Sequence, residues 1–598
     1  MNPFNNLVEL YQWSCAAHAD REVLGTKKQG AWQWLTYRQL GQLIDDVRGG
    51  LAGLGVQAGD RVAFIGDNSV EWAAAAYATY GMAASFVPMY QAQRPSEWQF
   101  ILRDCSARVV FVATEAAYDA LQGMRASLPD LAHVIGLKRP RGVPDSWSGL
   151  VAAGVARPVP ARSPDPQSVA GFIYTSGTTG KPKGALLSHA NISSNIEAVH
   201  QVIEISPDDR FLSFLPWAHS YGQTVELHML LSWGASLAIN DELPKLLDNM
   251  AEVKPTVLVA VPRIFNRIYD MVTREIAGQP ALLQKLINGG VDAAIRRSRG
   301  EPIGTIDALK LAFDEKVVFQ KILDKFGGRL RYAFSGSATL SRKVAEFIDA
   351  LGIAVYEGYG LTETSPIVTS NNTSGRRFGT VGRALPGVRV VIDTSVTGDE
   401  REGEIIVYGP NVMIGYHNRP AENEAALMPD RGLRTGDLGY LDEDGYLIIS
   451  GRIKEQYKLE NGKYVMPSVL EETLKLSPFI GNVMIHGDGR PCNVALVVPS
   501  VLALQAWAQK TGVTLAEDPT KDERVRALIR SEIERLSVDF KGFEKPRDIA
   551  LIHEDFTIDN GLLTPTLKLK RREVVARHAR VIEELYAGQS ASAAPPPA

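Results

Sequence analysis

Thr175-Ser176-Gly177-Thr178-Thr179-Gly180-Lys181-Pro182-Lys183-Gly184 sets four hydroxyls, three glycines and two lysines in ten residues, directly after the apolar residues 171–174. Glycine lets backbone N–H groups come close to a phosphate, hydroxyls add donors and lysines add charge. The composition therefore predicts a phosphate-binding loop at the end of a buried strand. It is not a Walker A loop. Pro182 follows the Gly-Lys pair where that loop needs Ser or Thr for Mg2+, and the upstream glycine is missing. A merely flexible polar loop is the competing reading, which the density of hydroxyls disfavours.

On both sides of this loop, short β-branched runs alternate with helical patterns, which predicts α/β layers. Residues 61–66, 85–88, 109–113, 134–137, 256–261, 330–334 and 353–356 read as strands, and residues 67–69 as the cap of a helix reaching Tyr80. The last three strands each run into a turn rich in Gly, Pro, Ser or Thr, where open parallel sheets bind ligands. Residues 264–325 are instead helical and charged. Past residue 452 the texture changes again. Residues 482–485 and 493–498 flank the turn 487–490 as a hairpin, and Val525, Leu528, Ile529, Ile533 and Leu536 share one helix face. A small, separate α+β domain is expected there. The boundaries read from this are a first domain over 1–452, a second over 453–586 and a disordered tail over 587–598.

A chain of 598 residues exceeds one hydrophobic core, and 45% apolar with 22% charged residues is the balance of a globular enzyme. The net charge of −4 is spread along the chain and only residues 568–572 are locally basic, so no nucleic-acid partner is expected. Cys15, Cys105 and Cys492 lie far apart without metal-ligand spacing and fit buried thiols in a reducing compartment. No secretory signal is visible. The longest uncharged stretch, from Trp72 to Gln91, is broken by Gly81, Ser85 and Pro88 and reads as helix plus strand rather than a membrane span. A cytoplasmic protein is expected.

Read further, residues 174–192 (YTSGTTGKPKGALLSHANI) resemble the phosphate-binding signature of the adenylate-forming superfamily, which includes acyl-CoA synthetases, luciferases and peptide-synthetase adenylation domains. The likeness runs from residue 24 to residue 575, with motifs in the family's order. It implies the adenylate-forming fold: a large N-terminal domain of layered α/β subdomains and a small mobile α+β C-terminal domain.

Under that resemblance Thr175, Ser176, Gly177, Thr178, Thr179, Gly180 and Lys183 bind the phosphates of ATP. Residues 215–222 (LPWAHSYG) match the segment that shapes the acyl pocket, with His219 near the substrate carboxylate. Alone, a histidine among apolar residues reads as readily as a satisfied structural one. Gly336, Ser337 and Ala338 correspond to the adenine pocket, where small residues let a purine lie against backbone. In Gly358-Tyr359-Gly360-Leu361-Thr362-Glu363-Thr364, Tyr359 offers a face to adenine, Thr362 a donor to phosphate, and Glu363 a hard ligand for Mg2+. Without the resemblance this is a glycine turn followed by a helix cap.

Asp437 accepts from both ribose hydroxyls, or forms an Asx-turn beside Gly436. Arg452 contacts the nucleotide, Lys454 is the hinge, and Lys458 and Gly462 lie in the loop that meets coenzyme A. Near the C-terminus Thr566-Leu567 stands where many members carry Ser-Gly. Lys568 takes the catalytic role, with Lys570 as the other candidate and a solvated basic face as the bland reading.

The implied activity is ATP-dependent conversion of a carboxylic acid to an acyl-adenylate and then to an acyl-CoA, releasing AMP and pyrophosphate. ATP, Mg2+ and coenzyme A are the expected cofactor and co-substrates. Residues 254–265 and 563–570 and the helical insertion 264–325 are similar to the long-chain fatty acyl-CoA synthetase branch. A fatty acid is therefore the expected partner, with transient contact at the inner face of a membrane, and oligomerisation is left open. The rivals are a fatty acyl-AMP ligase that hands its product to a carrier protein acting in trans, and a non-catalytic nucleotide-binding relative. The charged Glu363, Asp437 and Lys568 speak against the second.

Overall fold

The apolar run Arg61–Ile65 forms a central strand of a seven-stranded sheet, hydrogen-bonded in parallel to Ser85–Met89 on one side and Val109–Val112 on the other. His133–Gly136 closes one edge. Toward the other edge lie Val169–Thr175, parallel to Ser85–Met89, then the antiparallel Lys183–Ser188 and Gly415–Tyr416. A second sheet has nine strands. Its centre is parallel, in the order Glu22–Lys28, Ser236–Ile239, Arg210–Ser213, Val257–Ala260, Tyr332–Ser335 and Ala354–Gly360. Antiparallel strands finish both edges, Ala31–Thr36 at one and Ile367–Ser370 with Arg383–Ala384 at the other.

The computed structural model describes residues 4–143, 145–175, 182–397, 399–564 and 568–592. They divide into two units. The first comprises Met1–Val391, Ile406–Thr435 and Leu441–Ile448, the second Ile392–Ile405, Gly436–Tyr440 and Ile449–Ala598. A four-stranded sheet consists of Arg389–Asp393, Gly403–Tyr408, Leu433–Leu441 and Leu447–Arg452.

Within the first unit, helix Val70–Gly81 is buried at every residue but Glu71, and the Ser69 side chain caps it by accepting from Trp72 N–H. Apolar residues all round mark a helix covered on every side. Trp72 packs edge-on against Phe86 of the seven-stranded sheet and against Trp217, which follows the Arg210–Ser213 strand of the other. The expected helical segment is five consecutive stretches: Pro262–Ala277, Ala281–Ser298, Thr305–Asp314, a π-helical Glu315–Phe319 and Gln320–Lys325.

The second unit holds the expected hairpin, Ile480–His486 with Val494–Pro499, and Asp548–Leu551 parallel to it. Successive side chains in a strand point to opposite faces, and here both faces are covered. Val483, Ile485, Ala495 and Val497 meet Val525, Ile529 and Ile533 of helix Glu523–Leu536. Met484, Val494, Leu496 and Val498 meet Phe556, Val574 and Ile582. The last helix runs Ala579–Ser592, into the stretch where a tail was expected to begin, and 593–598 lie outside the described residues.

Candidate active site

The strands Val169–Thr175 and Lys183–Ser188 pair from Val169↔Ser188 to Thr175↔Lys183, so they form the stem of the 175–184 loop. Ser176, Gly177, Thr178, Thr179 and Gly180 lie outside the described residues. At the stem, the Thr175 hydroxyl donates to Lys183 O at 3.5 Å. The Lys183 ammonium lies 3.6 Å from Glu422 and 5.4 Å from the centroid of the Tyr416 ring. The Tyr416 hydroxyl donates to Glu363 Oε1 at 2.7 Å, and Met413 N–H donates to Glu363 O at 2.9 Å. Asn423 holds Tyr416 in place through both backbone groups, at 2.6 and 2.9 Å. A chain of contacts thus joins the phosphate-loop stem to the Thr362–Glu363 turn.

That turn is rigid for a local reason. A Cβ on Gly360 would fall 1.8 Å from Pro366 O, so only glycine lets the backbone close there. The Thr364 hydroxyl accepts from Leu361 N–H and donates to Pro366 O at 2.7 Å. Thr362 is buried with its hydroxyl 3.0 Å from Ser220 Oγ, and Tyr359 and Gly358 are half-buried on the preceding strand. Of the two acids in this stretch, burial pushes Glu357 up to about 8, neutral at pH 7. Glu363 is half-buried and its Oε1 already meets a donor. Among the described residues no three His, Cys, Asp or Glu side chains are placed to hold a metal together. One carboxylate beside a hydroxyl fits Mg2+ that arrives with substrate phosphates, because that ion keeps most of its ligands from phosphate and water.

His219 is half-buried, and its Nδ1 accepts from Tyr221 N–H at 3.2 Å, which fixes the ring. The Tyr221 ring passes beneath Gly336, where a Cβ would fall 2.8 Å from it. Gly336 therefore has a packing reason to be glycine besides the room for a purine. Ser337 is exposed at φ +70, a left-handed conformation rare for a non-glycine residue, and Ala338 is exposed beside it. Thr175, Lys183, His219, Gly336, Thr362 and Glu363 are thus linked through neighbouring contacts within the first unit.

Three residues that shape this region escaped the sequence reading. Tyr416 is one. Asn68, read only as part of a helix cap, donates to Ser213 Oγ at 3.0 Å and to Leu215 O at 2.7 Å, and accepts from Trp217 N–H at 2.8 Å. From the other side Glu226 accepts from Ser213 Oγ at 2.5 Å. Together they clamp the start of the segment 215–222. Burial pushes Glu226 up to about 8 although hydrogen bonds from Ser213 and the Leu215 backbone oppose it, so it is neutral at pH 7. It belongs to a π-helical turn, Gly222–His228, buried throughout, a rare form that recurs at functional sites. The signal for Glu226 was a lone acid inside the apolar run 225–227.

The remaining expected site residues belong to the second unit. Asp437 is buried and accepts from Arg452 Nε at 2.6 Å, so the two nucleotide-binding candidates orient each other. Gly436 N–H donates to Glu404 at 3.1 Å, and Gly436 O accepts from Ile453 N–H at 2.9 Å. Lys454 is exposed on the turn that Glu455 and Gln456 close onto Arg452 O. Lys458 is exposed on a two-stranded ribbon, Tyr457–Lys458 with Tyr464–Val465, and Gly462 turns the ribbon at φ +84. Lys568 exchanges backbone hydrogen bonds with Thr564, donating to its Oγ1 at 3.0 Å and accepting from its N–H at 2.8 Å, and extends an exposed side chain. Lys570 is half-buried, with its N–H on Leu562 O.

The AMP-binding enzyme family matches residues 11–417, and the AMP-binding enzyme C-terminal domain matches residues 454–590. The chain belongs to this family. Among similar proteins is the long-chain-fatty-acid–CoA ligase FadD15 of Mycobacterium bovis, 33% identical over 93% of this chain and 93% of that protein. Human long-chain-fatty-acid–CoA ligase 1 is 31% identical over 97% of this chain and 86% of its own length. The adenylation domain of a carboxylate reductase from Mycobacterium chelonae shares the fold, with a TM-score of 0.79 at 23% identity over 98% of this chain and 92% of that one. The expectation of an adenylate-forming fold, with a larger N-terminal and a smaller C-terminal domain, is met. No helix among the described residues is long and apolar enough to cross a membrane.

Proposed function

We propose that the chain is an AMP-forming ligase that converts a long-chain fatty acid, ATP and coenzyme A to acyl-CoA through an acyl-adenylate. The observation that carries the reading is the junction of the Thr362–Glu363 turn with the stem of the 175–184 loop through Tyr416. The long-chain substrate is supported by the names of the relatives and by the helical segment after Pro262.

The substrate carboxylate is ionised at neutral pH, so adenylation needs no general base; it needs two anions brought together. Thr175, Lys183 and the intervening hydroxyls bind the phosphates, and Thr362 adds a donor. Glu363 would hold Mg2+, which would supply positive charge to neutralise the phosphates. Asp437, oriented by Arg452, takes the ribose hydroxyls. His219, its ring fixed by Tyr221 N–H, faces the carboxylate end of the acid. Lys568 brings positive charge to the α-phosphoryl oxygens, and its exposed side chain on a pinned backbone suits that role better than the half-buried Lys570. In this reading a second domain starting at residue 453 turns about Lys454 between the half-reactions, and the ribbon carrying Lys458 and Gly462 then meets coenzyme A. The protein works in the cytoplasm, peripheral to a membrane.

The test supplies palmitate, ATP and Mg2+ with and without coenzyme A. With coenzyme A, AMP and thioester should form in equal amounts. Without it, palmitate-dependent pyrophosphate exchange should continue while no AMP is released, because AMP stays bonded to the acyl group until the thiol displaces it. Continued AMP release without coenzyme A overturns the ligase reading, and no exchange overturns adenylation. Across acids from acetate to oleate, kcat/KM should rise with chain length; a maximum at short acids removes the long-chain assignment.

A further inference from the structure

Helix Thr305–Asp314 is turned inside out. Its charged side chains face the protein: Asp307 pairs with Arg296 of helix Ala281–Ser298, and Lys310 lies 3.3 Å from Asp307. Asp314 is fully buried against Gly290, and among the described residues neither of its carboxylate oxygens has a hydrogen-bond partner. Leu311 is buried beside Asp314, but the other large apolar side chains face outward. Ile306 is 71% exposed, Leu309 68% and Phe313 43%, and the spacing of three and four residues puts them on one stripe. Ala308 and Ala312 are exposed beside them. An ordinary surface helix has the opposite arrangement, and a contiguous apolar stripe in water marks an interaction surface.

We propose that this stripe docks on a lipid bilayer carrying anionic headgroups. Charge favours that occupant. Residues 262–325 hold eleven basic and eight acidic residues, a net of +3 in a chain whose net is −4, and Lys285 and Lys321 are exposed. The choice of a bilayer rests on the fatty-acid reading above, because that substrate partitions into membranes. Three apolar side chains on a ten-residue helix give reversible, shallow contact rather than an anchor. The helix would lie along the headgroup boundary with its charged side still packed on Ala281–Ser298.

The test sediments the full chain with phosphatidylcholine vesicles, with and without phosphatidylglycerol. Wild type is compared with the triple variant Ile306→Ser, Leu309→Ser, Phe313→Ser, and with Leu502→Ser, a change at another residue 81% exposed, as the control. Wild type and control should bind the anionic vesicles. Binding of the triple variant should fall by about tenfold or more, while its turnover of octanoate in solution stays at the wild-type rate. Equal binding by the triple variant, or no binding by wild type, overturns the proposal. Vesicle binding through this stripe by a protein that forms no acyl-CoA from any fatty acid would instead sink the functional reading and leave the docking face standing. If the triple variant turns a dimer into a monomer and leaves vesicle binding unchanged, the stripe serves a second copy and the lipid proposal falls.

Discussion

In the first unit the Glu363 carboxylate is fixed by the Tyr416 hydroxyl on a turn that closes against Pro366, whereas in the second Lys454, Lys458 and Lys568 extend exposed side chains from short turns and a two-stranded ribbon. The acidic group is built in and the basic groups are carried. A group that holds the nucleotide throughout a two-step reaction gains from being preorganised, since no ordering is then required as charge develops. Under the proposed reaction a lysine that acts in one step only, as Lys568 does there, is held by its backbone and presents an exposed side chain.

The largest effect that tests this contrast is at the carried side. Lys568→Ala should lower acid-dependent pyrophosphate exchange on the order of a thousandfold and leave the melting temperature unchanged, because the side chain is exposed. Wild-type exchange in that variant would move the role to Lys570. On the built-in side, Gly360→Ala places a methyl group 1.8 Å from Pro366 O. Displacing the turn should cost about a hundredfold in exchange and also lower the melting temperature, so the two signatures differ. Tyr416→Phe removes one hydrogen bond to Glu363 and keeps the ring near Lys183. KM for Mg·ATP should rise about tenfold with kcat changed less, and an unchanged KM would mean that Glu363 needs no holding.

The smallest effect concerns Glu226. Its folded pKa of about 8 lies above the unfolded carboxylate value, so the folded state keeps a proton that the unfolded state has lost. Stability from this group is fully present at low pH and falls as pH rises to about 8. Glu226→Gln should match wild type at low pH, where both states of the wild type are protonated, should melt higher than wild type at pH 7, and should flatten the decline between pH 4.5 and about 8. A variant as pH-sensitive as wild type there would mean that Glu226 is already charged.

The strands around residues 61, 85, 109, 257, 332 and 354 were readable because buried parallel strands are short apolar runs between turn residues, and Ser69 announced its helix by capping it. The motifs at 175–184, 358–364 and 451–455 could be picked out because each lies in adjacent residues. Asn68 and Tyr416 were not. Asn68 meets its partners 145 to 149 residues away, and Tyr416 meets Glu363 at a separation of 53, so neither carries a local pattern. The outward face of Thr305–Asp314 was hidden for a different reason: a 3.6-residue period shows that a helix has two faces and does not say which one turns inward.

Arg571, three residues past Lys568, forms a half-buried bidentate pair with Glu471 at 2.8 Å and also donates to Ile485 O at 2.8 Å. On the other side, Thr564 grips Lys568 through its backbone. The lysine is thus the tip of a lever clamped at both ends of its mounting. Under the proposed reaction, such a mounting suits a lysine that is cleared from the reaction centre by movement of the body that carries it rather than by a change at its own position.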